Sequence, residues 1–521
     1  MSTLLETRLK KLLDADAAAT LCDIRRGIEK ESLRVSADGT LSKKAHPLQL
    51  GSALTHPFIT TDYSEALLEF ITPPSTGVDT PLAFLDRIHA CVYRQLDDEL
   101  LWVGSMACRV AGDEDVPVAE YGSSNIGRMK HIYRLGLGHR YGRRMQTIAG
   151  VHYNFSWPQS FWQLLQKQEG SNAPLQDYIS ARYFDLLRNF HRFSWLLVYL
   201  FGASPAVCPS FLAGRKHQLL SHADRSLFRP FATSLRMSDL GYQNNAQSSL
   251  HIDYNHIDNY VRTLNHAIQT PEPAYQDIGV LVDGEYRQLN SNILQIENEY
   301  YSSIRPKRSA RSGERPTQAL QRGGVEYIEV RVLDLDPFEP RGISADSARF
   351  IDLFASYCLL LESPAVEACD QLAAKQNLRQ TVYNGREKDV QLCRLGRPVT
   401  LAKWATEMLT QMQGIAELYD TAEGGDAYQQ ALALQQEKVA QPDSTPSARI
   451  LQCMADDKLS FFEFAQRQSQ QHKAHFLAQP HAPEDEHWFT DLAAKSLREQ
   501  QAEEAAAQQP FAEFLQAYFR D

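Results

Sequence analysis

The sequence lacks any apolar run long enough to cross a bilayer. Its longest, Trp195-Leu196-Leu197-Val198-Tyr199-Leu200-Phe201, falls far short of the roughly 20 residues that a spanning helix needs, so no membrane partner is expected. The eight cysteines form no C-x-x-C pair and no Cys/His zinc spacing, which excludes the usual zinc frameworks and predicts reduced thiols in a cytoplasmic protein. Residues 1–19 lack the continuous apolar core of a secretory signal, because Glu6, Arg8, Lys10, Lys11, Asp14 and Asp16 interrupt leucines at helical spacing. A basic excess is also missing: the net charge is −11, which argues against a general nucleic-acid binder while leaving room for a local anion site. There is no internal repeat and no long Gly/Ser/Pro linker.

What the sequence does have is acids at strand spacing. Residues 24–35 read as a strand on which Glu29 and Glu31 share one face, and two adjacent carboxylates repel unless a cation relieves them. Residues 65–72 alternate likewise, with Glu65, Leu67, Glu69 and Ile71 together and Asp62 in the preceding turn. Residues 151–157 alternate most cleanly: Val151, Tyr153 and Phe155 form a core face, and His152, Asn154 and Ser156 a polar one. Two more strands are expected, 292–301 (Gln295, Glu297, Glu299, Tyr301) and 325–333 (Tyr327, Glu329, Arg331, Leu333), with a dense basic loop at 304–314 between them. Helices are expected at 3–19, 79–101, 176–203 and 254–270, an Arg- and Tyr-rich segment punctuated by glycine at 121–147, and a loop at 233–242. Beyond residue 345 the pattern is helix after helix. The expected organisation is a mixed α+β catalytic body, 1–345, and a helical C-terminal part, 346–521, packed on it.

Strand-borne Glu29, Glu31, Glu69, Glu297, Glu299 and Glu329, with Asp62 nearby and His152 on its own polar face, supply hard oxygen ligands suited to Mg²⁺ or Mn²⁺. Magnesium ions beside a basic loop are what a nucleoside triphosphate requires. Any one of these strands also reads as an ion-paired surface strand, since Arg25, Arg26, Lys30 and Arg34 flank the first pair and Arg331 stands beside Glu329. Acids on several separate strands favour the metal reading. A two-metal phosphohydrolase or a two-carboxylate glycosidase would cluster acids too. The first is disfavoured by the missing basic groove, and the second has no use for the basic loop. A non-catalytic binding protein would bury mutually repelling acids without compensation.

Eight segments then carry a resemblance. They are RRGIEKESLRV (25–35), GSALTH (51–56), TTDYSEALLEFITP (60–73), GVHYNFS (150–156), FGASP (201–205), QIENE (295–299), IRPKR (304–308) and GGVEYIEVR (323–331). In this order they resemble the proteobacterial type of the glutamate–cysteine ligase (γ-glutamylcysteine synthetase) family. The resemblance implies a glutamine-synthetase-like fold, a curved, mostly antiparallel sheet funnel surrounded by helices. It implies metal ligands at Glu29, Glu31, Asp62, Glu69, His152 and Glu329, with Glu29, Glu329 and the phosphate-contacting Arg331 as catalytic residues. It further implies amino-acid contacts at Tyr63, Tyr133, Gln146, Asn154, Tyr242 and Tyr301, with Arg236 receiving a substrate carboxylate; the nucleotide contacts expected at Arg305, Lys307 and Arg308 come from the basic loop. Tyr63 departs from the family pattern, which has Phe there, and the added hydroxyl bears on side-chain selectivity. The implied partners are ATP, L-glutamate and L-cysteine, with glutathione as a feedback inhibitor and a monomer or weak homo-oligomer as the assembly. The implied reaction makes γ-glutamyl phosphate from glutamate and ATP, then γ-glutamylcysteine by attack of the cysteine amine.

Overall fold

The computed structural model describes residues 3–14, 17–222, 225–240, 247, 250–311, 313–480, 483–506 and 508–520. Its main sheet comprises β1 (Arg25–Val35), β2 (Ile59–Thr61), β3 (Leu67–Ile71), β4 (Ser75–Thr76), β5 (Leu100–Trp102), β6 (Val151–Ser156), β7 (Ile304–Lys307) and β8 (Tyr327–Leu333). The order is β7-β8-β6-β1-β3-β2, antiparallel throughout, with β4 and β5 pairing the two ends of β1. Directly opposed residues of antiparallel strands point to the same side. The register sets Glu31 opposite Glu69, Glu29 opposite His152, Asn154 opposite Glu329, and Arg305 opposite Glu329. One face of the sheet therefore collects the acids of β1, β3 and β8 with His152 and Asn154 of β6.

The other face is core. Ile28, Val151, Tyr153, Phe155, Ile328 and Val330 are buried there. The labelled helices are α1 (Thr3–Asp14), α2 (Asp79–Gln95), α3 (Asn125–Tyr141), α4 (Leu175–Phe193), α5 (Trp195–Phe201), α6 (Ala345–Leu360) and α7 (Ala368–Asn384). Of the cations flanking the acid pair, Arg26, Lys30 and Arg34 turn to this face and are satisfied on it, while Arg25 at the start of β1 is exposed. Arg26 pairs with Asp352 of α6 at 2.8 Å, Lys30 Nζ meets His89 Nε2 of α2 at 2.7 Å, and Arg34 pairs with Glu99 at 3.0 Å. The surface ion-pair alternative for Glu29 and Glu31 fails on this geometry. Asp352 also accepts the Tyr153 hydroxyl at 2.9 Å, so a single carboxylate of α6 ties β1 to β6 from behind.

Several sequence expectations need correction. The strand expected over 292–301 is instead irregular chain with a 3₁₀ turn at Glu297–Glu299. Local partners claim both acids: Glu297 accepts the Thr317 hydroxyl at 2.5 Å, and Glu299 accepts Arg140 at 2.9 Å and the Gln295 N–H at 2.6 Å. Glu65 lies in the turn before β3, where it accepts the N–H groups of His46 and Glu120, so it does not share the face of Glu69. The helix expected to run to 101 stops at Gln95, and the supposed basic loop begins as strand β7. The Gly-punctuated segment is helix α3, capped by Ser124. Its Gly136 and Gly138 are needed for contact, since a Cβ there would lie 2.2 Å from Gln295 and 2.4 Å from the Tyr63 hydroxyl. Cys108 and Cys208, 100 residues apart, form a disulfide where free thiols were expected.

After residue 345 the chain is helical as expected, apart from a hairpin of β9 (Gln391–Arg394) and β10 (Arg397–Thr400). No helix among the described residues is long and apolar enough to cross a membrane.

Candidate active site

Three strands bring one constellation together. Carboxylate oxygens of Glu29 and Glu329 and a ring nitrogen of His152 lie within 4.8 Å of one another. His152 stands between two groups of acids: Nδ1 is 3.2 Å from Glu29 and 3.8 Å from Glu329, while Nε2 is 3.6 Å from Glu31. Glu31 in turn faces Glu69 across the β1–β3 pair and Asp62 from the turn before β3. Asn154 donates to Glu29 Oε1 at 2.9 Å and so orients that carboxylate from within the sheet. Gly150 donates to Glu31 Oε2 at 2.6 Å.

The electrostatics differ between the two groups. Burial pushes the Glu69 carboxyl well above the usual carboxylate range, and the charges of Glu29, Asp62 and Glu31 push it further. Glu31 is also raised, mainly by burial, against the pull of His152. Glu329 shifts the opposite way: burial is outweighed by Lys307 at 3.6 Å, Arg331 at 3.0 Å and Arg305 at 3.9 Å, which hold its carboxyl well below the usual range. Arg331 is partly buried, yet its neighbours Glu329, Glu31 and Glu29 keep its guanidinium charged. Glu329 Oε2 and Arg331 Nε are buried without a hydrogen-bond partner. Oxygen-rich, mutually repelling donors with an orphaned carboxylate oxygen fit a hard divalent cation, which would remove both costs.

Beside the acids lies a cavity of about 490 Å³. Glu31, Asp62 and His152 form one wall, Arg331 and Arg236 another, and Tyr63, Tyr133, Gln146 and Tyr301 line the remainder. Arg236 reaches it because Gly150 leaves room, a Cβ there falling 2.2 Å from Arg236 Nη2; that nitrogen donates to the Arg331 carbonyl at 3.0 Å. The Tyr301 hydroxyl donates to the Met237 sulfur. Tyr63 is fully buried, and its hydroxyl has no partner.

Not every expected residue converges. Arg308 follows the inward-facing Lys307 on β7 and turns away, donating to the Gly324 carbonyl and to Gln176. The alternation of a strand accounts for this. Arg305 faces Glu329 but spends two of its hydrogen bonds on the carbonyls of Asn298 and Tyr300. Tyr242 lies outside the described residues. Conversely, α3 contributes more than Tyr133: Arg134, Leu137, Arg140 and Tyr141 also line the cavity. Their spacing is that of one helix face, a signal present in the sequence once 125–141 is taken as helix.

Acids that call for cations, a cationic cluster beside them and an amino-acid-sized cavity, all on one face of an antiparallel sheet, define an enzyme of the carboxylate–amine ligase class. The glutamate-cysteine ligase family model matches residues 9–381. A curated glutamate–cysteine ligase of Alcanivorax borkumensis is 64% identical, the match covering 99% of both chains, and one of Pseudomonas aeruginosa is 50% identical over 99% of this chain and 98% of its own. Among solved structures, the glutamate–cysteine ligase of Francisella tularensis in complex with AMP superposes with a TM-score of 0.90 at 36% identity, covering 95% of this chain and 97% of that one. A bifunctional glutathione synthetase of Pasteurella multocida shares the fold, with a TM-score of 0.75 at 23% identity, covering 93% of this chain and 58% of its own. The chain belongs to the glutamate–cysteine ligase family.

Proposed function

We propose that the chain joins the γ-carboxylate of L-glutamate to the α-amine of L-cysteine, converting ATP to ADP and phosphate by way of γ-glutamyl phosphate. The observation that carries the residue assignments is the meeting of Glu29, His152 and Glu329 with Lys307 and Arg331 at the edge of the cavity that holds Arg236. A carboxylate does not condense with an amine in water, so it must first be activated, and phosphoryl transfer rests on positioning and electrostatics.

Two groups of donors fit Mg²⁺, with Mn²⁺ as a substitute: Glu29, His152 and Glu329 in one, and Glu31, Asp62 and Glu69 in the other. Such ions, when bound, supply charge neutralisation for the phosphates. The chain's own residues do the rest. Arg331 presents its guanidinium toward the transferring phosphate, and Lys307 and Arg305 add positive charge from β7. Arg236 receives a substrate carboxylate, while Tyr63, Tyr133, Gln146 and Tyr301 enclose the amine substrate and exclude water. Asn154 orients Glu29 through its amide nitrogen and keeps its Oδ1 for the amino-acid substrate. Catalysis is assigned to residues 1–345, with 346–521 as the packing that supports the sheet from behind, as Asp352 does. Glutathione, which contains the product dipeptide, would compete for the same cavity. ATP and free cysteine as substrates support a cytoplasmic setting, with the chain acting as a monomer or weak homo-oligomer.

The test is ADP release from Mg-ATP and L-glutamate with L-cysteine, L-2-aminobutyrate or ammonia as the amine. Release that requires an amine and prefers cysteine supports the reading. Release indifferent to the amine, or fastest with ammonia, overturns the cysteine assignment.

A further inference from the structure

A second cavity, apart from the acids, is larger than the one beside them. It encloses about 870 Å³, at the upper end of the 300–1,000 Å³ typical of small-molecule sites, and lies between α7, the β9–β10 hairpin and residues 216–219. Its walls are joined: Asn377 of α7 exchanges hydrogen bonds of 2.8 and 2.7 Å with the backbone of Cys393 on β9. The hairpin turn uses two successive left-handed residues, Leu395 and Gly396, as a tight two-residue connection requires. The part of this wall from Val382 to Pro398 lies beyond the segment that the family model matches, while Lys216, Arg229, Asp239 and Arg379 lie within it.

Its charge is unusual for this chain. Against a net −11, the lining brings together Lys216, Arg229, Arg379 and Arg397, with Asp239 as the one carboxylate among the described residues. Among the described residues, Lys216 and Arg397 have no ion-pair partner. Arg229 has only the amide oxygens of Asn384 and Gln218, at 3.4 and 3.5 Å. Arg379 and Arg229 sit 5.8 and 5.3 Å from the Tyr383 ring centroid. Arg379 reaches Asp239 at 3.6 Å, and the Tyr383 hydroxyl donates to the same carboxylate. Like charges gathered around a concave surface repel, and an anion within it turns that repulsion into attraction. Guanidinium groups are especially suited to phosphate oxygens, which they can grip with two parallel hydrogen bonds.

We infer that this cavity is a second ligand site, separate from the acid-lined one, that takes a multiply phosphorylated small molecule. Lys216, Arg229 and Arg397 hold its phosphates, and the Tyr383 ring with the surrounding amide side chains receives the rest. Asp239 also lines the acid-side cavity, so the two sites share a wall. A phosphate drawn to Arg379 competes with Asp239 for that guanidinium.

Two sources share this chemistry, a second molecule of ATP and a phosphorylated compound without a nucleoside. Calorimetric titration with inorganic tripolyphosphate, without nucleotide and in parallel on the wild type and on Lys216→Glu/Arg397→Glu, tests the shared chemistry. Equilibrium dialysis with labelled ATP counts nucleotide equivalents. The expected result is one equivalent of tripolyphosphate whose affinity is at least about tenfold weaker in Lys216→Glu/Arg397→Glu than in the wild type, because each reversal replaces attraction with repulsion. The turnover of the double variant should stay at the wild-type value, which also shows that it is folded. A second equivalent of ATP, lost in the variant, identifies the nucleotide as the source; tripolyphosphate binding without it identifies the nucleoside-free class. No tripolyphosphate binding, or binding that the double substitution leaves unchanged, overturns the proposal, and neither result bears on the ligase reaction.

Discussion

Replacing Arg331 by alanine separates transition-state from ground-state roles at this site. Its Nη1 lies 3.0 Å from Glu329 and 3.3 Å from His152, and its buried Nε has no acceptor, so a donor is held ready where phosphate charge would develop. Removing one such preorganised donor typically costs roughly 10²–10³ in kcat, about 2.7–4 kcal/mol. Arginines on transferring phosphoryl groups have been worth more, roughly 10³–10⁵, so the expected loss is at least about a hundredfold. Lys307 and Arg305 remain within 4 Å of Glu329 in the variant, so ground-state ATP binding keeps most of its positive charge. KM for ATP should accordingly move by less than about threefold. Arg331→Lys, which keeps the charge but loses the planar fork, should fall between the two. Steady-state ADP release at saturating glutamate and cysteine reads both parameters. A fall in kcat of less than about tenfold, or an equal loss in kcat and ATP affinity, would refute the assignment of Arg331 to the transferring phosphate.

Tyr63→Phe removes a buried hydroxyl that has no partner, so the thermal midpoint should stay level or rise, while the ratio of cysteine to 2-aminobutyrate turnover should change. A clear fall in the midpoint would show that the hydroxyl is satisfied in the folded protein. Asp352→Asn leaves buried Arg26 with only the more exposed Glu423, at 3.4 Å, as countercharge and loosens the tie between β1 and β6; a loss of about 3 kcal/mol in denaturant unfolding is expected, and a loss under about 1 kcal/mol would contradict it. Acid should destabilise the protein through its buried histidines. Burial holds His46 down to about 3 and His191 and His56 down to about 4, so below pH 6.5 the unfolded chain binds protons that the native one refuses. Their contribution is full above pH 6.5 and is lost as the pH falls toward 4, and His191→Gln should flatten the decline in midpoint; an unchanged slope would count against it.

How much of this was legible in the sequence depended on whether a residue answered to local pattern or to distant partners. Strands β1, β3, β6 and β8 were legible because period-two alternation is a local consequence of one face being core, and it placed Glu29, Glu31, Glu69, His152 and Glu329 correctly. Glu297 and Glu299 showed the same spacing and were misread. Arg140, over 150 positions away, and Thr317 satisfy them, and no period reveals such partners. Arg308 was grouped with Arg305 and Lys307 by composition, although strand alternation already separates it from them. The resemblance to a known family supplied the roles of Arg236 and the tyrosines, which spacing alone could not. The Cys108–Cys208 disulfide and the basic cavity between α7 and the hairpin arise from contacts across the fold and left no mark on the local sequence.

In the proposed function, the acids of β1, β3 and β8, with Asp62 of the turn before β3 and His152 of β6, hold divalent cations in two groups. Anomalous diffraction from crystals grown with Mn²⁺ and a non-hydrolysable ATP analogue tests it directly. The account predicts one peak among Glu29, His152 and Glu329 and another beside Glu31, Asp62 and Glu69, with Glu29→Gln emptying the first and sparing the second. Peaks elsewhere, or none at either group while the nucleotide is bound, would contradict it.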